Sequence, residues 1–232
     1  MRNFGISMAC AASVLSIPVT IAAQGGAAQP AAAPLSASSP LPMLAPSGTP
    51  AHVVDLMTTD GAALLNAQWR YMDVKLVEAP PRQGAGPHYK SSWDVQPRAG
   101  SADFDDSAWP VIEPKALNER RGGGRLFMGW YRTSLTIPAK IGTFDAAAST
   151  AVFHVIVDDY AEVWVNGQLP RRVGMPSPHV ITGFNMPNRV VISQAVKAGE
   201  KVQIAVFGIN GPISLAPENP LFIREARVEF YR

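Results

Sequence analysis

The chain has 232 residues, of which 47% are apolar and only 16% charged, below the roughly 25% charged residues of typical soluble domains. Its 20 Lys and Arg nearly balance its 18 Asp and Glu, so no charge excess favours nucleic acid or an anionic membrane as a partner. Cys10 is the single cysteine, which excludes an internal disulfide framework.

Residues 1–23 read as a cleaved signal peptide. Met1-Arg2-Asn3 gives a positive start, residues 6–23 are apolar or small apart from Ser, Thr and Pro18, and Ala22-Ala23 offers small residues for cleavage. The apolar stretch is short and Pro18 interrupts it, which disfavours a membrane anchor. Ser7-Met8-Ala9 before Cys10 lacks the leucine of a lipoprotein box. Cleavage removes Cys10, leaves no transmembrane segment and predicts a periplasmic or secreted bacterial protein. Residues 24–52 form an expected disordered linker: up to Pro50 they are rich in Ala, Pro, Ser and Gly and carry no charge, too little to offset chain entropy by burial.

The folded domain is expected over 53–232. Thr58 or Thr59 caps a brief helix through Leu65. Residues 70–78 alternate, with Met72, Val74 and Leu76 on one side and Asp73 and Lys75 on the other, which predicts a strand with one wet face. Pro80, Pro81, Gly84, Gly86 and Pro87 turn it into a long loop. Residues 131–137 alternate again, with Tyr131, Thr133, Leu135 and Ile137 facing one way and Arg132, Ser134 and Thr136 the other; Pro138 stops the strand. Residues 152–157 are apolar on both faces and predict a central strand, with His154 a core or sheet-face residue. Asp158-Asp159 makes a corner, 160–165 returns as a strand, and Asn166-Gly167 signals a hairpin turn. Further strands follow at 189–192, 201–209 and 223–231. Many short strands and little helical period indicate an all-β fold, an antiparallel β-sandwich or jelly roll.

Four pieces of this pattern carry a resemblance. Phe104-Asp105-Asp106-Ser107-Ala108-Trp109, Gly129-Trp130-Tyr131-Arg132, the hairpin Val157-Asp158-Asp159-Tyr160-Ala161-Glu162-Val163-Trp164-Val165-Asn166-Gly167, and Gly199-Glu200-Lys201-Val202-Gln203-Ile204-Ala205-Val206 stand in this order. The set resembles the sugar-binding jelly-roll domain of glycoside hydrolase family 2, with Lys201 where that family usually has Asn. The stretches at 188–192 and 207–214 are similar to an accessory module found beside gluconolactonase-type propellers in bacteria. The resemblance implies a galactose-binding-like β-sandwich. With the sequence ending at Arg232, neither a propeller nor a glycosidase barrel is expected after it.

Carbohydrate recognition uses rings that stack on sugar faces and planar polar groups that bond hydroxyls. Arg121, Trp130, Tyr160, Asn185 and Asn210 lie on or beside predicted turns and loops and are the candidate ligand-binding residues; Trp164 reads more simply as core. Asp103, Asp105 and Asp106 have a spacing compatible with oxygen ligation of a structural calcium, and turn and cap chemistry is the simpler reading of the same residues. No other cofactor is expected. His52, His88, His154 and His179 are scattered without ligand spacing, Asp158 and Asp159 are adjacent on a corner rather than paired across a cleft, and no nucleophile motif is present. A non-catalytic carbohydrate-binding module is therefore expected, accessory to a separate glycosidase or lactonase. The alternatives are a structural or protein-interaction sandwich without a sugar ligand, and an enzyme in its own right. A ring-lined groove, a flat apolar patch and a pKa-shifted carboxylate in a cleft would separate the three.

Overall fold

The 152–157 stretch, apolar on both faces, lies in the middle of a sheet, as a strand with no wet side must. The structure, a computed structural model, describes residues 43–80, 92–169, 185–211 and 218–232. The expected signal peptide with Cys10, residues 24–42 of the expected linker, the Pro/Gly loop beyond Pro80, His88 and His179 lie outside the described residues.

In chain order the elements are β1 (His52–Asp55), α1 (Thr59–Leu64), β2 (Trp69–Asp73), β3 (Lys75–Ala79), β4 (Ser92–Gln96), β5 (Val111–Ile112) and a 3-10 turn at Pro114–Asn118. They continue with β6 (Met128–Ile137), β7 (Lys140–Ile141), β8 (Phe144–Asp145), β9 (Thr150–Asp158), β10 (Tyr160–Val165), β11 (Asn188–Ser193), β12 (Glu200–Ile209) and β13 (Phe222–Tyr231). A four-stranded sheet has the order β1-β13-β9-β11 and a five-stranded sheet the order β10-β12-β6-β2-β5, while β3-β4 and β7-β8 form two-stranded ribbons. The pairings are antiparallel throughout. The last strand thus closes beside the first, and the two larger sheets form a β-sandwich.

The inner faces meet in one core. Phe153, Val155, Val190, Val228 and Phe230 come from the four-stranded sheet, and Trp69, Tyr131, Leu135, Val163 and Ile204 from the five-stranded sheet. Each large apolar side chain taken from water contributes about 1.5–3 kcal/mol, and their period-2 spacing fixes the register, since a one-residue slip would turn the whole set outward. Helix α1 is short and depends on its cap: Thr58 Oγ1 accepts from the Gly61 amide at 3.1 Å. No helix of the described residues is long and apolar enough to cross a membrane.

The expected strand over 70–78 is two strands. Val74 donates to the Met128 carbonyl at 3.0 Å, the last tie to β6, and from Lys75 the chain pairs with β4 instead. Leu76 is consequently 45% exposed rather than on a core-facing side. Met72 and Val74 do share a side, but it packs into a second, smaller cluster with Trp109, outside the sandwich core.

A candidate binding groove on the outer face of the five-stranded sheet

Directly opposed residues of an antiparallel pair share a face. Met72, Trp130, Phe207 and Glu162 therefore form one row across β2, β6, β12 and β10, and Arg70, Arg132, Ala205 and Trp164 the next. The interleaved residues Tyr131, Val206 and Val163 point into the core, so both rows face outward. They are covered in the middle by the segment 95–109, whose Ala99, Phe104 and Trp109 pack on Met128, Trp130 and Phe207.

Arg132 holds that segment down. It is buried, and its Nε donates to Asp106 Oδ2 at 2.7 Å. Its two terminal nitrogens donate to the carbonyls of Ala99, of Ser101 at 3.1 Å and of Phe104 at 3.3 Å. Asp106 also lies 3.6 Å from Arg70. Beneath the segment, Trp130 is 4% exposed and donates Nε1–H to the Pro97 carbonyl at 2.8 Å.

Where the cover stops, a groove of about 380 Å³ remains. Trp130 and Phe207 floor it, Trp164 and Val95 wall it, and Arg98, Ser101 and Glu162 bring polar groups to it. Trp164 stands on the edge strand β10 and is half-buried. Its indole rests on Gly100, where an added Cβ would lie 2.6 Å from the ring. Trp164 Nε1 donates to Glu162 Oε2 at 3.3 Å, and Arg98 is tied to Asp94 through both nitrogens of a bidentate pair, Nε–Oδ1 being 3.0 Å. Ring and polar groups are thus held before any ligand arrives. The turn below is equally fixed: Asn166 and Gly167 have φ of 49° and 75°, the signature of a type I′ turn, and Asn166 Oδ1 accepts from the Gln203 amide at 2.9 Å. A second cavity of about 590 Å³, lined by Met72, Asp73, Lys75, Gln96, Pro97 and Phe104, shares Arg98 with the groove.

Of the five residues expected to bind ligand, only Trp130 lines the groove, and it does so from the floor. Asn210 is fully buried; its Oδ1 accepts from the Phe127 amide, and its Nδ2 donates to the carbonyls of Gly124 at 2.7 Å and Asn219 at 3.0 Å. Arg121 donates to the Glu119 and Ala116 carbonyls at 2.7 and 2.9 Å and stacks 4.6 Å from the Tyr71 ring. These two pin loops to the sandwich. Asn185 has φ of 52° and donates its amide to the Asp159 carbonyl at 2.9 Å; its side-chain oxygen is buried without a hydrogen-bond partner. Tyr160 opens β10 opposite Ile209, on the outward row that continues to Glu162 and Trp164.

The three aspartates expected as calcium ligands are not brought together as a ligand set. Asp106 serves the arginines, Asp105 Oδ1 accepts from the Ser107 amide at 2.9 Å, and Asp103 accepts from the Ser101 hydroxyl. This is the turn chemistry that the spacing also allowed. Among the described residues no group of three or more His, Cys, Asp and Glu is placed to hold a metal ion.

At the corner, burial raises the Asp158 carboxyl from 3.8 to about 6, helped by the hydrogen bond and charge of Asp159 and opposed by Arg224. Arg224 Nη1 lies 3.1 Å from Asp158 Oδ2. Asp159 is itself locked, its Oδ2 accepting from the Gly211 amide at 2.6 Å and Asn219 Nδ2 at 2.7 Å. Neither carboxylate lines the groove or the neighbouring cavity. On the opposite outer face, burial would raise Glu229, but Tyr231, Arg189 and Arg227 together hold it at about 2.

No family model matches the chain, and no curated protein does. Among solved structures it is similar to a glycosyl hydrolase family 2 member from Bacteroides cellulosilyticus, at 16% identity over 69% of this chain and 20% of that one, with a TM-score of 0.40. It is similar to the β-glucuronidase of Bacteroides uniformis, at 16% identity over 71% of this chain and 18% of that one, with a TM-score of 0.39. It is also similar to TmCBM61, solved in complex with β-1,4-galactotriose, at 15% identity over 71% of this chain and 88% of that one, with a TM-score of 0.28. The chain spans about a fifth of the length of the two hydrolases.

Proposed function

We propose that this protein is an exported carbohydrate-binding module whose ligand seats in the outer-face groove, and that it serves as an accessory to a separate glycosidase or lactonase. The observation that carries the binding part is the groove itself. A half-buried indole is held in place by Gly100 and Glu162, over a floor of further rings, with Arg98, Glu162 and Ser101 within the same 380 Å³. A sugar presents an apolar face and a belt of hydroxyls, and this pairing of ring and planar polar groups complements both. A pocket for a purely apolar ligand would have no use for two charged groups held in place beside the ring.

Binding in an open groove exchanges water hydrogen bonds for protein ones at small net gain. Dissociation constants near the millimolar end, about −4 to −5 kcal/mol, are expected. Calorimetric titration with monosaccharides, oligosaccharides and aldonolactones tests this on wild type, Trp164→Ala and Trp130→Ala. Trp164→Ala is expected to lose the heat of binding at a stability cost smaller than that of Trp130→Ala, since the ring is only half-buried against the cluster. Trp130→Ala is expected to lose about 3–5 kcal/mol of stability, as for other buried aromatics. Binding that survives Trp164→Ala would remove the groove from consideration. Export rests on the first 23 residues of the sequence and is checked by mass spectrometry of the protein from its host, where a mature chain starting near Gln24 is expected.

A further inference from the structure

The β3–β4 ribbon extends one wall of the groove outward. Its register pairs Leu76 with Val95 and Glu78 with Trp93, so these four residues share one face of the ribbon. Val95 packs on the outer-face cluster and lines the groove. The face that carries Trp93 is therefore the face that forms the wall. Trp93 is two residues further along the same strand, about 7 Å at the usual strand rise. It is 65% exposed, far more than Trp109 or Trp130 at 7% and 4%.

From this arrangement we infer that the groove takes an extended glycan chain rather than a single sugar, with Trp93 as a second stacking ring beyond the one at Trp164. The inference rests on the carbohydrate reading above and adds the length of the ligand and the residue that senses it. Three features select a glycan over a protein partner. The apolar surface at Trp93 is small: among the described residues of the ribbon, that face adds only Leu76 and the partly covered Val95, with charged Glu78 directly opposite. It falls far short of the roughly 800 Å² per partner of a stable protein interface. Beside the wall, Arg98 lines both the groove and the neighbouring cavity and pairs with Asp94 on the ribbon's other face, so it offers planar donors where hydroxyls of a chain would pass. The four charges of the ribbon and its flank, Arg98 and Lys75 against Asp94 and Glu78, balance, which fits an uncharged chain.

The test is calorimetric titration of the whole protein with matched probes, galactose against β-1,4-galactotriose, glucose against cellotriose and xylose against xylotriose. For the series that binds, the trisaccharide is expected to bind at least about tenfold tighter than its monosaccharide. Trp93→Ala is expected to bring the trisaccharide down to monosaccharide affinity, leaving monosaccharide affinity and melting temperature unchanged. Trp164→Ala is expected to abolish both. In Trp164→Phe, with one fewer indole to mask the signal, trisaccharide is expected to shift the emission from Trp93 and monosaccharide is not. A trisaccharide-to-monosaccharide ratio that is the same in wild type and Trp93→Ala overturns the second ring and leaves the groove reading intact. Absence of binding by every probe, or binding unaltered in Trp164→Ala, overturns the groove reading and this inference with it. Concentration-dependent self-association that Trp93→Ala abolishes would assign the ring to a protein contact and overturn the inference too.

Discussion

Arg132, buried on β6, and the part-exposed Asp106 on the covering segment form an ion pair, Nε to Oδ2 at 2.7 Å, across 26 residues of sequence. Two of the four sequence motifs are thereby halves of one clamp. Phe104 and Trp109 pack on the cluster that Trp130 floors, Asp106 accepts from Arg132, and Arg132 also stacks 5.3 Å from Phe104. An isolated buried guanidinium is costly to leave without its partner. Asp106→Ala is expected to cost about 3–5 kcal/mol, read as a lower urea midpoint. Arg132→Met removes the ion pair and also the bonds to the Ala99, Ser101 and Phe104 carbonyls, and is expected to cost more than Asp106→Ala. The reverse order would show that Arg132 is not what holds the segment.

Asn210 is expected to behave as a structural residue, not a ligand contact. Its amide is spent on Phe127, Gly124 and Asn219, and truncation leaves several buried backbone groups unpaired at about 1–3 kcal/mol each. Asn210→Ala should lower the melting temperature and leave groove affinity unchanged in whatever fraction remains folded. Urea denaturation and titration of the same preparation check both halves.

The sandwich was legible in the residues because its strands alternate cleanly. Residues 160–165, 201–209 and 223–231 needed only the period-2 pattern and their Gly and Asn turns. The break at Val74 was not legible, because alternation runs through it without interruption; what ends β2 is the Met128 carbonyl, contributed from 54 residues later. The groove was half-legible. Alternation along β10 puts Tyr160, Glu162 and Trp164 on one outward row, which argues against burying Trp164. Its ring nonetheless reads as core in the sequence, since nothing local says that β10 is an edge strand. Trp130 reads as a site candidate because it lies beside a predicted turn; it is buried because a segment 33 residues earlier supplies the Pro97 carbonyl over it. Gly100 and Arg98 carry no sequence signal of their own.

Two carboxylates give stability opposite slopes with pH. Asp158 is raised from 3.8 to about 6, so between those values the folded state holds more protons than the unfolded one, and this contribution falls as pH rises from about 4 to 6. Glu229 is lowered from 4.5 to about 2, so its contribution is complete above the unfolded value and is lost as pH falls toward 2. Asp158→Asn is expected to flatten the decline between pH 4 and 6, and Glu229→Gln to flatten the acid limb below 4.5 while lowering stability at neutral pH. Chemical denaturation from pH 2 to 8 on both variants separates them.

Gly100 offers a way to move the ring of the groove without deleting it. An added Cβ would lie 2.6 to 2.8 Å from three atoms of the Trp164 indole, closer than carbon atoms pack, so the ring must shift. Its φ is not in the left-handed region that favours glycine, so the substitution strains the contact and not the backbone. The indole sits on an edge strand and is only half-buried, so it can tilt outward, breaking the 3.3 Å hydrogen bond to Glu162. Gly100→Ala is therefore expected to weaken glycan binding by about tenfold or more with a stability loss of about 1–3 kcal/mol, as for other overpacking substitutions. Glu162→Gln keeps an acceptor for the indole and is expected to change binding less. If Gly100→Ala binds as wild type, the orientation of Trp164 does not matter, and stacking on that ring is not the source of affinity.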